Sequence, residues 1–182
     1  MKRKEFFMNE IIKCIKSRRS VKKYKSDPVP EALIEAIAEA GTYAPTGMNR
    51  QTPVILAVTN KELRDRLSRL NASIMGSAGD PFYNAPCVLV VLADRSVLST
   101  TYINDGSLVM GNMLLAAHSL GLGGCWVHRA KEMFETDEGQ AILSELGISG
   151  DLVGIGNCIV GYPEGDIPTY RPRKENYIYR IK

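Results

Sequence analysis

Residues 17–25 read SRRSVKKYK, with Arg18, Arg19, Lys22, Lys23 and Lys25 packed around one hydroxyl, Ser20. Arginine can grip a phosphate through two parallel N–H bonds, and a neighbouring serine adds a neutral donor. A lysine two residues beyond the serine can reach a second polar part of the same ligand. A matching basic set, Arg171, Arg173 and Lys174, stands near the other end of the sequence. Residues 1–25 carry a formal charge of +8 and residues 171–182 one of +4, whereas residues 26–170 carry −9, so the overall +3 hides basic ends on an acidic body. A small, compact anion held between the ends fits this distribution. A long nucleic acid does not, because the acidic body would repel it, and no membrane partner is expected either.

Other chemistries lack their residues. The four cysteines (Cys14, Cys87, Cys125, Cys158) show no C-x-x-C spacing, and neither His118 nor His128 stands at ligand spacing from them. No metal site is expected. The thiols read as free and buried, in a reducing compartment. GLGG (121–124) and GIG (154–156) do not complete a dinucleotide-binding G-x-G-x-x-G between a strand and a helix. G-x-S-x-G, Walker A and Ser-His-Asp patterns are absent. The charges in the first 17 residues argue against a signal peptide. The longest apolar run, APCVLVVLA (85–93), is too short to span a bilayer. A cytoplasmic protein is expected.

The elements that must position these residues follow from periodicity. Met8, Ile11, Ile12 and Ile15 predict an amphipathic helix over 8–18, broken by SDPVP. EALIEAIAEA (31–40) predicts a second helix, with Pro30 at its start and Gly41 just past its end. VILAVTN (54–60) and APCVLVVLAD (85–94) predict buried strands, separated by a short polar helix (61–72) and a mobile loop (73–83). Residues 100–120 predict a long helix, apolar on nearly every side, fit for the core of a large domain or a dimer. GGCWV (123–127) predicts a strand, residues 130–148 a surface-lying helix, and LVGIGNCIVGYP (152–163) a strand whose glycines allow close backbone approach. In NYIYRIK (176–182), Tyr177, Tyr179 and Ile181 alternate like an extended arm that adds a strand to a sheet.

In this order, RRSVKKY (18–24), AGTYAPTGMNRQTP (40–53), NAPCVLVVLAD (84–94), LAAHSLGLGGCWV (115–127) and LVGIGNCIVGYPEG with YRPRK (152–174) resemble the nitroreductase family of flavoproteins. The resemblance implies an α+β fold with a central, mostly antiparallel sheet flanked by helices. It implies one FMN-binding domain over residues 1–182, with residues 163–182 as an extended C-terminal arm adding a strand to the partner subunit of an intertwined homodimer. Arg18, Arg19, Ser20 and Lys22 match the family's first flavin motif, the arginines and serine for the phosphate and ribityl chain and Lys22 for the pyrimidine edge. Arg173, with Arg171 or Lys174, matches the C-terminal phosphate contact. Pro45, Thr46, Gly47 and Asn49 match a loop that packs on the flavin from the other subunit. Gly124 to Arg129 matches the segment whose backbone N–H groups face flavin N5 and O4, with His128 and Arg129 as the donors by register.

The chain departs from the family pattern at Thr52-Pro53, where many members have Pro-Trp, and at His128, where an acid is frequent. It lacks room for lid insertions, so an open or small pocket is expected. The implied function is FMN-dependent transfer of two electrons from NAD(P)H, by a ping-pong mechanism, to nitroaromatic, quinone or similar electron-poor acceptors. FMN carries the chemistry and no side chain is singled out as catalytic. A non-catalytic flavin-binding or sensor module and a reductive dehalogenase-like enzyme on the same fold are the alternatives.

Overall fold

The computed structural model describes residues 9–182; Met8 of the first expected helix lies outside them. Among the described residues the α-helices and strands follow in this order: α1 (Glu10–Ser17), α2 (Glu31–Thr42), β1 (Pro53–Val58), α3 (Lys61–Met75), β2 (Cys87–Asp94), α4 (Tyr102–Ser119), β3 (Gly123–Val127), α5 (Ala130–Phe134), α6 (Asp137–Glu145) and β4 (Leu152–Gly161). The strands form one antiparallel sheet in the order β1-β2-β4-β3. The protein is α+β, as the resemblance implied.

The run CVLVVLA places β2 in the middle of the sheet, because side chains two apart share a face and both faces need apolar cover. Val88, Val90 and Leu92 pack with Leu67, Phe82, Met133, Phe134 and Ile142, beneath α3, α5 and α6. Cys87, Leu89 and Val91 pack with Ile34, Ile37, Val109, Met110 and Met113, beneath α2 and α4. Cys87, Cys125 and Cys158 are buried free thiols, and Cys14 is half-buried. Burial pushes the Cys87 thiol up to about 12, so it is inert at neutral pH.

Side-chain caps set three helix starts: Asn9 accepts from the Ile12 N–H, Asn60 from Leu63 and Thr136 from Gly139. Several expectations need correction. Gly41 lies inside α2 and not beyond it; a Cβ there would press on Met113, Ile55 and Val109, so the glycine serves the close approach of α2 to α4. The polar helix runs on through Ser73–Met75 and stops at Gly76, whose φ of +66° gives the left-handed cap. The stretch 130–148 is two helices broken at Thr136, and Met133, Phe134 and Ile142 bury it in the core. The loop after Gly76 is pinned by one carboxylate: Asp80 accepts from Ser68, from the Arg64 guanidinium at 2.6 Å, and from the Phe82 and Asn84 N–H groups.

The glycines of β4 do permit close approach. A Cβ at Gly154 would run into the Ala130 carbonyl of α5, and one at Gly156 into the Trp126 indole. Beyond Gly161, the chain pairs once with the N-terminal segment. Lys25 donates to the Tyr162 carbonyl and Glu164 to that of Lys23, while Lys23 and Glu164 form an exposed ion pair. Residues 166–182 form no strand within the chain and are exposed.

Candidate functional site

The basic stretch leaves α1 and turns along the edge of the sheet. Ser20 bridges to Gly124 in parallel, and the Val21 N–H donates to the Gly124 carbonyl at 3.2 Å. Val21 is buried against Gly123, where any Cβ would collide with it. In an extended segment residues two apart share a side. Arg18, Ser20 and Lys22 alternate with Arg19 and Val21 as a row beside β3, all three acting on the Cys125 thiol, and at the parallel bridge the segment heads in the direction of Trp126 and His128.

Arg18 holds the most informative atom. One of its terminal guanidinium nitrogens is buried without a hydrogen-bond partner, as is the Trp126 indole N–H. Buried donors left unpaired are uncommon and costly. The donor set around Arg18 is cationic, so the group that fits it is an anion. The Cys125 thiol lies beneath the row. Burial raises its pKa, while a hydrogen bond with Ser20 and the charges of Lys22 and Arg18 act to lower it. His118, bonded to the Ser17 hydroxyl at 2.7 Å, is held below its ordinary pKa by burial and by repulsion from Arg18 and Arg19. The charge of Arg18 acts on both groups, beneath a larger effect of burial.

Arg19 faces the other way. Its guanidinium closes the α1 C-terminus on the Lys16, Ser17 and Arg18 carbonyls, and its Cζ lies 5.3 Å from the centre of the Tyr170 ring. Arg173 approaches the same ring at 5.9 Å. The two basic ends thus meet at Tyr170, the first residue of the YRPRK stretch. Lys174 turns to Tyr177 instead, at 5.4 Å, and Arg171 is exposed. Lys22 lies 5.6 Å from the Tyr83 ring. Tyr83 and Asn84 both have positive φ, 53° and 58°, a strained pair held by the Asp80 turn.

The Pro45–Asn49 loop is tied elsewhere. Asp105 of α4, buried at 3% exposure, accepts from the Gly47 N–H at 2.9 Å and from the Thr52 hydroxyl at 3.0 Å. Thr46 accepts from the Gln51 N–H. Met48, Asn49 and Gln51 all sit at left-handed φ near 50°, and Met48 and Tyr43 are each 78% exposed. A lone acid in the apolar α4 is the sequence signal for this anchor. The loop presents a strained tip to the outside, with Met48, Asn49 and Gln51 exposed.

At the far end of β3, His128 is exposed and Arg129 half-buried, with φ +76°. The His128 ring stands 5.9 Å from that of Trp126. From Gly124 to His128 the strand spans about 13 Å at the usual rise per residue. The structure therefore lines up a cationic end, a row of polar groups and a turn with strained backbone along one sheet edge.

An antiparallel α+β sheet with an anion-seeking edge of this kind defines a class of ligand-binding enzyme fold. A model described as the nitroreductase family matches residues 15–162, and the chain belongs to the nitroreductase family. A solved nitroreductase with bound FMN from Bacteroides fragilis superposes with a TM-score of 0.87 at 28% identity, over 96% of this chain and 100% of that one. Another from Desulfitobacterium hafniense, also with FMN, gives 0.84 at 28% over the same shares. Among curated relatives, a Methanothermobacter thermautotrophicus protein, whose name pairs NADH dehydrogenase with NAD(P)H nitroreductase, is 32% identical over 119 residues. That match spans 64% of this chain and 60% of the relative's length. The Bacillus subtilis FMN reductase [NAD(P)H] is 25% identical over 91% of this chain and 70% of its own.

Proposed function

We propose that this protein is an FMN-dependent oxidoreductase that takes two electrons from NAD(P)H and delivers them to a small electron-poor acceptor, nitroaromatic or quinone-like, in a ping-pong cycle. The observation that carries the reading is the buried, unpartnered guanidinium nitrogen of Arg18, at the head of a row that continues through Ser20 and Lys22. Arg18 and Ser20 hold the FMN phosphate and the start of the ribityl chain together with Arg173, and Arg19, Arg171 and Lys174 are further cationic neighbours, Arg19 through its charge while its guanidinium closes α1. Lys22, further along the row, meets the pyrimidine edge and favours negative charge there. Gly124, where a Cβ would press on Leu114 of α4, keeps β3 close to that helix beside the row, and the His128–Arg129 turn offers backbone donors to the ring. FMN, when bound, supplies the two-electron chemistry.

The second subunit completes the site. Pro45, Thr46, Gly47 and Asn49 reach the flavin of the partner in a homodimer, from a loop whose tip is exposed. The apolar surface for such a partner is present: Ile11 and Ile15 of α1 are 68% and 48% exposed, and Ile103 and Leu108 of α4 are 55% and 47% exposed. Residues 163–182 serve as the arm over the partner, since Tyr177, Tyr179 and Ile181 are 69%, 80% and 97% exposed. The whole of residues 1–182 acts as one FMN-binding domain in the cytoplasm. Among the described residues, no helix is long and apolar enough to cross a membrane.

Anaerobic stopped-flow mixing of the FMN-loaded protein with NADH or NADPH tests the reading. Rapid bleaching of the bound flavin, followed by reoxidation on mixing with a nitroaromatic or quinone, is the expected result. A protein that takes up no FMN would sink it. A protein that binds FMN but is not reduced by either nucleotide is a flavin-binding module instead.

A further inference from the structure

Two asparagines that the flavin site does not touch converge on one of its backbone groups. Asn71 of α3 and Asn157 of β4 are both fully buried. The Asn71 side-chain amide donates to the His128 carbonyl at 2.7 Å. Asn157 donates to that carbonyl and to the Val127 carbonyl, each at 3.3 Å. Both amide nitrogens also meet the Met133 sulfur, at 3.2 and 3.6 Å. The Oδ1 atoms of both are buried without a partner. Either amide alone would satisfy the His128 carbonyl, and each leaves its own Oδ1 unpaired, so satisfying that carbonyl does not by itself account for two amides here.

The peptide joining His128 to Arg129 explains them. A trans peptide is planar, with its C=O and its N–H pointing in opposite directions. Drawing the His128 carbonyl into the core turns the Arg129 N–H outward. The same pull holds Arg129 at φ +76°, a conformation a non-glycine residue adopts only when its surroundings impose it. We infer that Asn71 and Asn157 are positioning residues, a two-amide clamp that fixes the His128–Arg129 peptide so that its N–H is presented to the ring of the bound FMN. The inference rests on the flavin-binding reading above. A donor fixed at the ring edge meets different partners in oxidised and reduced flavin. The clamp therefore sets the ratio of affinities for the two forms and not merely the grip on FMN.

The test uses the full-length protein with Asn71→Leu, Asn157→Leu and the milder Asn71→Ala. For each, the dissociation constants of oxidised and reduced FMN are measured, together with amide hydrogen exchange at Arg129 with and without FMN and the melting temperature of the apo protein. The clamp predicts that the oxidised-to-reduced affinity ratio changes about ten-fold, equivalent to about 30 mV for a two-electron couple. It also predicts that the protection of the Arg129 amide by FMN falls about ten-fold. Affinities that drop equally for both forms, in step with a lower melting temperature, would show a merely structural pair and overturn the inference. A ratio and protection unchanged in every soluble variant would do the same; if Asn157→Leu does not fold, Asn71→Ala alone decides. Wild-type protein that takes up no FMN overturns the functional reading itself, which the variants, compared with an FMN-binding wild type, do not.

Discussion

Arg18→Met separates the cofactor role of the basic row from its structural one. In the apo protein the substitution removes a buried guanidinium nitrogen that has no partner. A buried donor left unsatisfied costs about 1–3 kcal/mol, so the variant should be as stable as the wild type or more stable, by up to that amount. Methionine keeps most of the apolar stem and so most of the packing. In the FMN complex the same change removes a charge-assisted bond to phosphate, worth about 1.5–3 kcal/mol. The dissociation constant should rise about 10- to 150-fold, at about 1.4 kcal/mol per decade. Riboflavin, which lacks the phosphate, supplies the control. Its affinity should be nearly the same for wild type and variant. Quenching of flavin fluorescence reads both constants, and urea unfolding reads the stability. Equal losses for FMN and riboflavin, or a variant that unfolds more easily with unchanged FMN binding, would refute the reasoning.

Further outcomes follow from the same geometry. Asp105→Ala breaks the bonds to Gly47 and Thr52 and should lower unfolding stability by about 3–6 kcal/mol, since each such bond is worth about 1.5–3; chemical denaturation checks it. For Asp80, burial acts to raise the carboxyl pKa, but the bonds from Ser68, Arg64 and the Asn84 and Phe82 N–H groups prevail and hold it below the usual carboxylate value of 3.8. Its folded pKa is therefore below its unfolded one, so its contribution is present above about pH 4 and is lost as pH falls through the folded value. Urea midpoints between pH 5 and pH 3, as order-of-magnitude bounds, should fall less steeply in Asp80→Asn. Gly154→Ala drives a methyl into the α5 backbone and should destabilise by at least about 1–3 kcal/mol, seen as a lower melting temperature with α5 amides exchanging first. Analytical ultracentrifugation should give twice the 20.1 kDa chain mass, and a single-chain mass would remove the partner's loop from the site.

The sheet was legible because β2 is a continuous apolar run, a pattern that suits a strand buried on both faces. The cationic row was legible for a different reason: charge is additive along a sequence, and the basic ends stand out against an acidic body. What escaped depends on contacts between distant residues. Gly41 has the composition of a helix end, yet α4 packs so close that the helix continues through it. The polar residues Asp105 and Asn157 each interrupt an apolar element, a signal that something must be bonded there, but not what. Asn71 sits in a helix polar enough to hide it. Tyr170 earns its place only when residues 19 and 173 have both been brought to its ring.

The meeting of the two ends at Tyr170 also bears on biosynthesis. The sheet is complete at Gly161, while Arg173 is synthesised later. Under the proposed function, a ribosome that aborts between the two releases a chain with the four strands of its own sheet in place and only half of its phosphate socket. Such a product would fold yet hold FMN poorly, and would miss the stabilisation that ligand binding confers through mass action. Cofactor uptake thereby reports on translation having reached the arm, and truncated copies would be the ones left for proteases.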